Sequence, residues 1–131
     1  GTVSSNIMYS EERARKLYAA ADIVLVPSRF EPCGLTQLIA MRYGALPVVR
    51  ETGGLRDTVQ PYNEFEDSGN GFSFDRYDAG LLLGAVNYAK NVYYTDQKAW
   101  RGMVRRAMNM DYSWKSSAEK YRLLYEEIVN W

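Results

Sequence analysis

The 131 residues are 47% apolar and 24% charged, enough apolar material to bury a core and too much for a disordered chain. Sixteen basic residues balance sixteen acidic ones, so no general attraction to nucleic acid or anionic lipid is expected. No run approaches the ~18 apolar residues of a membrane span, and no basic-then-apolar leader opens the sequence. With no histidine the chain has neither a histidine-based triad nor a His-containing metal site, and its single cysteine, Cys33, excludes an internal disulfide and fits a reducing compartment.

In chain order, Gly1 to Tyr9 is irregular, with Ile7 and Met8 suited to the end of a strand. Ser10 can cap a helix, Glu11 and Glu12 in its first turn complement the macrodipole, and the helix is expected to run to about Ala21 with Ala14, Leu17, Tyr18 and Ala21 on one face. Ile23-Val24-Leu25-Val26 has the composition of a buried strand and Pro27 ends it. After the loop Ser28–Gly34, apolar spacing through Leu35, Leu38, Ile39, Met41 and Arg42 gives a helix that starts near Gly34, Leu35 and Thr36.

A second strand, Leu46–Val49, follows Gly44 and is closed by Thr52-Gly53-Gly54, where adjacent glycines allow positive φ and close approach of backbone amides to a ligand. Leu55–Val59 suits a short helical turn, Gln60–Asn70 a surface loop, and Gly71–Phe74 a third strand. Three capped helices complete the chain. Asp78 precedes Leu82, Ala85, Val86, Ala89 and Val92; Asp96 precedes Trp100, Met103, Val104, Ala107 and Met108; Ser113 precedes Trp114, Ala118, Tyr121, Leu124, Tyr125 and Ile128. The fold class is therefore α/β, with a parallel Rossmann-like sheet and flanking helices. Three strands are few for a sheet covered on both faces, so an incomplete layer is expected, with exposed sheet edge and apolar surface near the N-terminus.

Strand, loop, helix, strand, loop is the parallel βαβ order, and ligands in such sheets sit outside the carboxyl ends of the strands. Both loops thus face one crevice. Orphan N–H groups at the helix start near Gly34 suit a phosphate, and Glu31 sets a carboxylate beside them. A diphosphate on the helix end and a sugar on the carboxylate fit this layout, whereas no Gly-x-x-x-x-Gly-Lys phosphate loop is present. On spacing alone Glu31 is as well explained by pairing with Arg29, Gly53-Gly54 by a plain turn, and Leu35-Thr36 by an uncapped helix start. Cys33 lacks a histidine to activate it and reads as a small buried thiol.

The words SRFEPCGLTQL, MRYG, PVVR and TGGLRDTV, in this order and spacing, resemble the signature of bacterial glycogen synthases and plant starch synthases, retaining glucosyltransferases of the two-domain GT-B fold. The resemblance extends less tightly to Tyr9-Ser10-Glu11-Glu12, Ala21-Asp22 and Gly71-Phe72-Ser73-Phe74. It implies that residues 1–131 form one domain, the later part of the C-terminal donor-nucleotide-binding domain, with the N-terminal acceptor domain absent. It further implies transfer of glucose from ADP-glucose, or UDP-glucose, to the non-reducing end of an α-1,4-glucan. The family's front-face displacement needs no protein nucleophile, cofactor or metal.

The same resemblance implies the roles of individual residues. Glu31 lies beside the donor glucose as the catalytic carboxylate, favouring an oxocarbenium-like transition state. Cys33 and Gly34 shape the sugar pocket, and Leu35 and Thr36 present N–H groups to the distal phosphate. Tyr9 stacks on adenine, and Thr52, Gly53 and Gly54 form the loop against the donor. Ile39 stands where many GT-B enzymes carry a second, ribose-holding glutamate, which favours the glycogen synthase branch. The family's diphosphate-neutralising arginine and lysine do not occur in this stretch, so the chain alone is expected to be inactive. A non-catalytic nucleotide-sugar or glucan binding module of the same fold is the other reading. Trp114, Tyr121, Tyr125 and Trp131 are expected in core or interdomain packing. The expected compartment is the cytoplasm of a bacterium, or a plastid if the parent is a plant starch synthase.

Overall fold

The computed structural model describes residues 2–130. The elements are α1 (Glu11–Ala20), β1 (Ile23–Val26), α2 (Thr36–Arg42), β2 (Leu46–Arg50), α3 (Gly54–Thr58), β3 (Phe72–Phe74), α4 (Ala79–Thr95), α5 (Gln97–Asn109) and α6 (Trp114–Val129). Four helices start on the capping residues expected from sequence. Ser10 accepts from Arg13 N–H, Asp78 from Leu81, Asp96 from Ala99 and Ser113 from Ser116, each satisfying an orphan amide of the first turn.

The three strands are parallel in the order β1-β2-β3, with Ile23 opposite Leu46 and Val26 opposite Val49, then Val48 opposite Phe72 and Arg50 opposite Phe74. Because β2 is central, Leu46, Pro47, Val48 and Val49 are all buried, which is why this strand is apolar without alternation. The pleat sends Leu46 and Val48 to one face, where they meet Met41 of α2, Phe72, Ala89 and Val92 of α4, and Ala99, Trp100, Met103 and Ala107 of α5. Val49 points to the other face, where only Val26, Leu55 and Val59, with Val24 packed against them, make a small second cluster. Phe72 carries the larger core as an aromatic hub, stacked on Trp100 at 6.2 Å and edge-on to Tyr88 at 5.6 Å.

The incomplete layer has the expected consequence: β1 is an uncovered edge with Leu25 about half exposed, and α1 buries no residue. Its Leu17 stays exposed, and Tyr18 makes its ring contact with Tyr43 at 6.1 Å. Ile7 and Met8 form no strand and lie exposed, since no neighbouring strand offers them a ladder. On α2, Gln37, Ala40 and Met41 are buried and Leu38 packs against the larger core, while Leu35, Ile39 and Arg42 are exposed. Of the two placements expected for the α6 aromatics, core and interdomain packing, the first is corrected: Trp114 is 91% exposed and Tyr121, Leu124, Tyr125 and Ile128 are also open, since no sheet or helix of the described residues covers them. Trp131 lies outside the described residues.

The loop between α3 and β3 is tied down by its own polar groups. Asn70, buried, donates to Thr58 O at 3.1 Å and accepts from Gln60 N–H at 2.7 Å, and Arg106 of α5 donates to Gly69 O at 2.7 Å. No helix among the described residues is long and apolar enough to cross a membrane.

Met103 is fully buried beneath the sheet, so Met103→Ala is expected to remove about 2–5 kcal/mol of stability in urea unfolding. Trp114→Ala, at an uncovered position, is expected to change it by no more than about 0.5 kcal/mol, and a larger loss would show that α6 packs on the chain.

Candidate functional site

Two loops leave the carboxyl ends of β1 and β2, and the structure joins them by their backbones. Gly53 has φ +46°, and a Cβ there would lie 1.7 Å from Glu31 O; a Cβ on Gly54 would lie 1.8 Å from Cys33 O. No side chain fits either gap, so the glycine pair serves first to let one loop lie on the other. Beside the approach to a ligand expected from the sequence, the structure shows a close approach of backbone to backbone.

Arg50, at the end of β2, adds a second tie. Its Nε donates to Ser28 O at 2.8 Å and its terminal nitrogen donates to Arg29 O, while the guanidinium sits 6.0 Å from the Tyr77 ring centroid. These bonds fix the start of the first loop against the end of the neighbouring strand. Sequence reading gave Arg50 no role; its position at the carboxyl end of a central strand was the available signal.

Glu31 is half-buried and accepts a hydrogen bond from Ser28 Oγ at 3.2 Å. The pairing with Arg29 does not form, for Arg29 lies over the Phe30 ring at 5.6 Å, and among the described residues no cation stands within 4.0 Å of the carboxylate. A carboxylate in this state has free acceptor capacity for hydroxyl groups. Cys33 is exposed, which corrects the expectation of a buried thiol, Gly34 is buried at φ +76°, and Leu35 and Thr36 are exposed at the start of α2. No side chain caps that helix, and among the described residues the N–H groups of Thr36, Gln37 and Leu38 reach no upstream carbonyl.

Glu31, Cys33, Gly34, Gly53 and Gly54 are thus brought together, with Leu35 and Thr36 continuing the first loop and Thr52 beginning the second. Thr52 is half-buried and its carbonyl accepts from Leu55 N–H at 3.1 Å. Tyr9 stands apart: it is 88% exposed, and its hydroxyl is 3.2 Å from Glu11 Oε1. No hydrogen bond or ring contact links it to either loop among the described residues. Gln37 was missed by sequence reading although it lies inside the first motif. It is fully buried between the loops, donating from Nε2 to Gly34 O at 2.8 Å and to Thr58 Oγ1 at 3.1 Å. Among the described residues no group of three acidic or cysteine side chains is placed to hold a metal ion.

Residues 7–101 match the family described as glycosyl transferases group 1. The chain belongs to this family. It is similar to a glycogen synthase of Lachnospira eligens, 58% identical over 96% of this chain and 26% of that protein. It is also similar to a glycogen synthase of Caldicellulosiruptor bescii, 55% identical over 98% of this chain and 27% of that protein. The chain therefore spans about a quarter of the length of the curated relatives it matches. Among solved structures it resembles the catalytic domain of starch synthase IV from Arabidopsis thaliana bound to ADP and acarbose. That match has a TM-score of 0.81 and 42% identity, and covers 95% of this chain and 26% of that one. A sucrose-phosphate synthase from Thermosynechococcus elongatus matches at TM-score 0.60 and 26% identity, over 86% and 27%. Three parallel strands with flanking helices, matched this closely to a starch synthase, are part of a GT-B glycosyltransferase fold.

The glycine pair gives the sharpest test of this geometry. Gly53→Ala combines positive φ with a clash against backbone and is expected to cost about 2–4 kcal/mol. Gly84→Ala, mid-helix in α4 with nothing near its Cβ, is expected to add about 0.5–1 kcal/mol, both read by thermal unfolding. A neutral Gly53→Ala would show that the loops do not touch.

Proposed function

We propose that this chain is the distal part of the donor-nucleotide-binding domain of a glycogen or starch synthase. The whole enzyme would transfer glucose from ADP-glucose to the non-reducing end of an α-1,4-glucan with retention. The observation that carries the reading is Glu31, a half-buried carboxylate with no cation within 4.0 Å among the described residues, on a loop clamped against Gly53 and Gly54 at the carboxyl ends of the strands. Relatives named glycogen synthase at 50–58% identity support it, as does a starch synthase whose structure holds ADP and acarbose.

In this proposal Glu31 faces the donor glucose, accepts bonds from its hydroxyls and stabilises positive charge as the glycosidic bond lengthens. Cys33 and Gly34 bound the sugar, the N–H groups of Leu35 and Thr36 meet the distal phosphate, and the Thr52–Gly54 loop closes one side. Tyr9 is the proposed support for adenine, reached only if the segment before α1 folds over the crevice. UDP-glucose would use the same sugar and phosphate contacts, with the base as the difference. The glucan, the rest of the donor pocket and the groups that neutralise the leaving diphosphate belong to the remaining parts of the protein. The proposed compartment is the bacterial cytoplasm.

Incorporation of radiolabelled glucose into glycogen by the full-length protein tests the reading. Glu31→Ala is expected to lower kcat by about 10² or more with little change in KM, the scale of losing one preorganised electrostatic partner. A loss confined to KM would make Glu31 a substrate-holding residue. The 131-residue chain by itself is expected to transfer no glucose, because positioning of the acceptor, worth about 7–11 kcal/mol of the barrier, needs both walls of a cleft. Incorporation above that of its Glu31→Ala form would contradict the proposed division of labour.

A further inference from the structure

We infer that Gln37 is a positioning residue that locks the two loops of the site into one unit and turns the amides of the first loop toward the crevice. The inference rests on the donor-site reading above and deepens it. Gln37 is 0% exposed in a seven-residue helix. Its Nε2 donates to Gly34 O at 2.8 Å and to Thr58 Oγ1 at 3.1 Å, with Cys33 O also near at 3.4 Å. The Thr58 hydroxyl in turn donates to Gly54 O at 2.6 Å.

The bonds therefore run in one direction, from the amide of α2 through Thr58 to the glycine of the second loop. A flipped amide would set two carbonyl oxygens against each other and leave Thr58 Oγ1 without a donor, so the orientation is fixed by its partners.

Stability alone does not account for this choice of residue. The side-chain amide oxygen of Gln37 is buried with no hydrogen-bond partner among the described residues, which is costly in an interior, and a leucine or methionine would carry no such atom. That oxygen also lies 2.5 Å from where a Gly34 Cβ would be, beside a backbone whose φ of +76° already favours glycine. What the amide does supply is direction. A trans peptide is planar with its C=O and N–H opposed, so holding the Gly34 carbonyl inward turns the Leu35 N–H outward, away from Gln37. The Cys33 carbonyl and Gly34 N–H are related in the same way. Leu35 and Gly34 are two of the residues proposed to meet the donor, and Gln37 touches neither reacting atom.

The test compares KM for ADP-glucose and for glycogen in the full-length protein. Gln37→Leu is expected to raise KM for ADP-glucose about tenfold and leave KM for glycogen unchanged. Thr58→Val, which cuts the link between the loops and spares the bond within the first, is expected to raise KM for ADP-glucose about threefold. A merely structural role lowers the active fraction, hence kcat, and moves neither KM. If Gln37→Leu does not fold, Thr58→Val decides alone. KM for ADP-glucose within twofold of wild type in the folded variants overturns the inference while the donor-site reading stands; a wild-type protein that transfers no glucose overturns that reading and the inference with it.

Discussion

Everything at the candidate site depends on a contact between two pieces of backbone. The carbonyls of Glu31 and Cys33 lie where a side chain on Gly53 or Gly54 would be, so the β1–α2 loop and the β2–α3 loop form one surface. Loops at the carboxyl ends of parallel strands are ordinarily free to differ in position, and exposed loops carry the conformational entropy of their residues. Here Arg50 at one end and the glycine contact at the other remove that freedom. Rigid placement is what a catalytic carboxylate requires, since preorganised charge stabilises a transition state only if it need not move.

The sheet explains why these loops meet. Parallel pairing brings the ends of β1 and β2 side by side, and β2 is buried on both faces, so its end is as fixed as any point in the molecule. The two faces are unequal. α2, α4 and α5 build a broad core on one, while the other has a cluster of Val26, Val49, Leu55 and Val59 and leaves α1 without a buried residue. Open apolar stripes on α1 and α6 go with a chain that spans about a quarter of the relatives it matches.

Local signals were legible in the sequence. Ser10, Asp78, Asp96 and Ser113 announced four helices because a cap is decided by one side chain and the amide three residues on. The strands followed from short apolar runs bounded by Pro27, Gly44 and Gly71. Burial was less legible, since periodicity gives a face but not its neighbour. On α2 it gave Leu35, Leu38, Ile39, Met41 and Arg42, of which Met41 is buried and Leu38 packs on the core, but it passed over Gln37 and Ala40, and on α6 it gave a stripe that nothing among the described residues covers. At the site, Glu31 and the glycines were found through their motif, but Gln37 and Arg50 act across 21 or more residues of sequence, which no local pattern reports.

The most direct test of the central claim, that the joined loops form the donor site, is an NMR titration of this chain with ADP. Weak binding is predicted, in the millimolar range worth about 4 kcal/mol, with the amide signals of Cys33, Gly34, Leu35 and Thr36 moving first. Shifts confined to α4, α5 and α6 would contradict it.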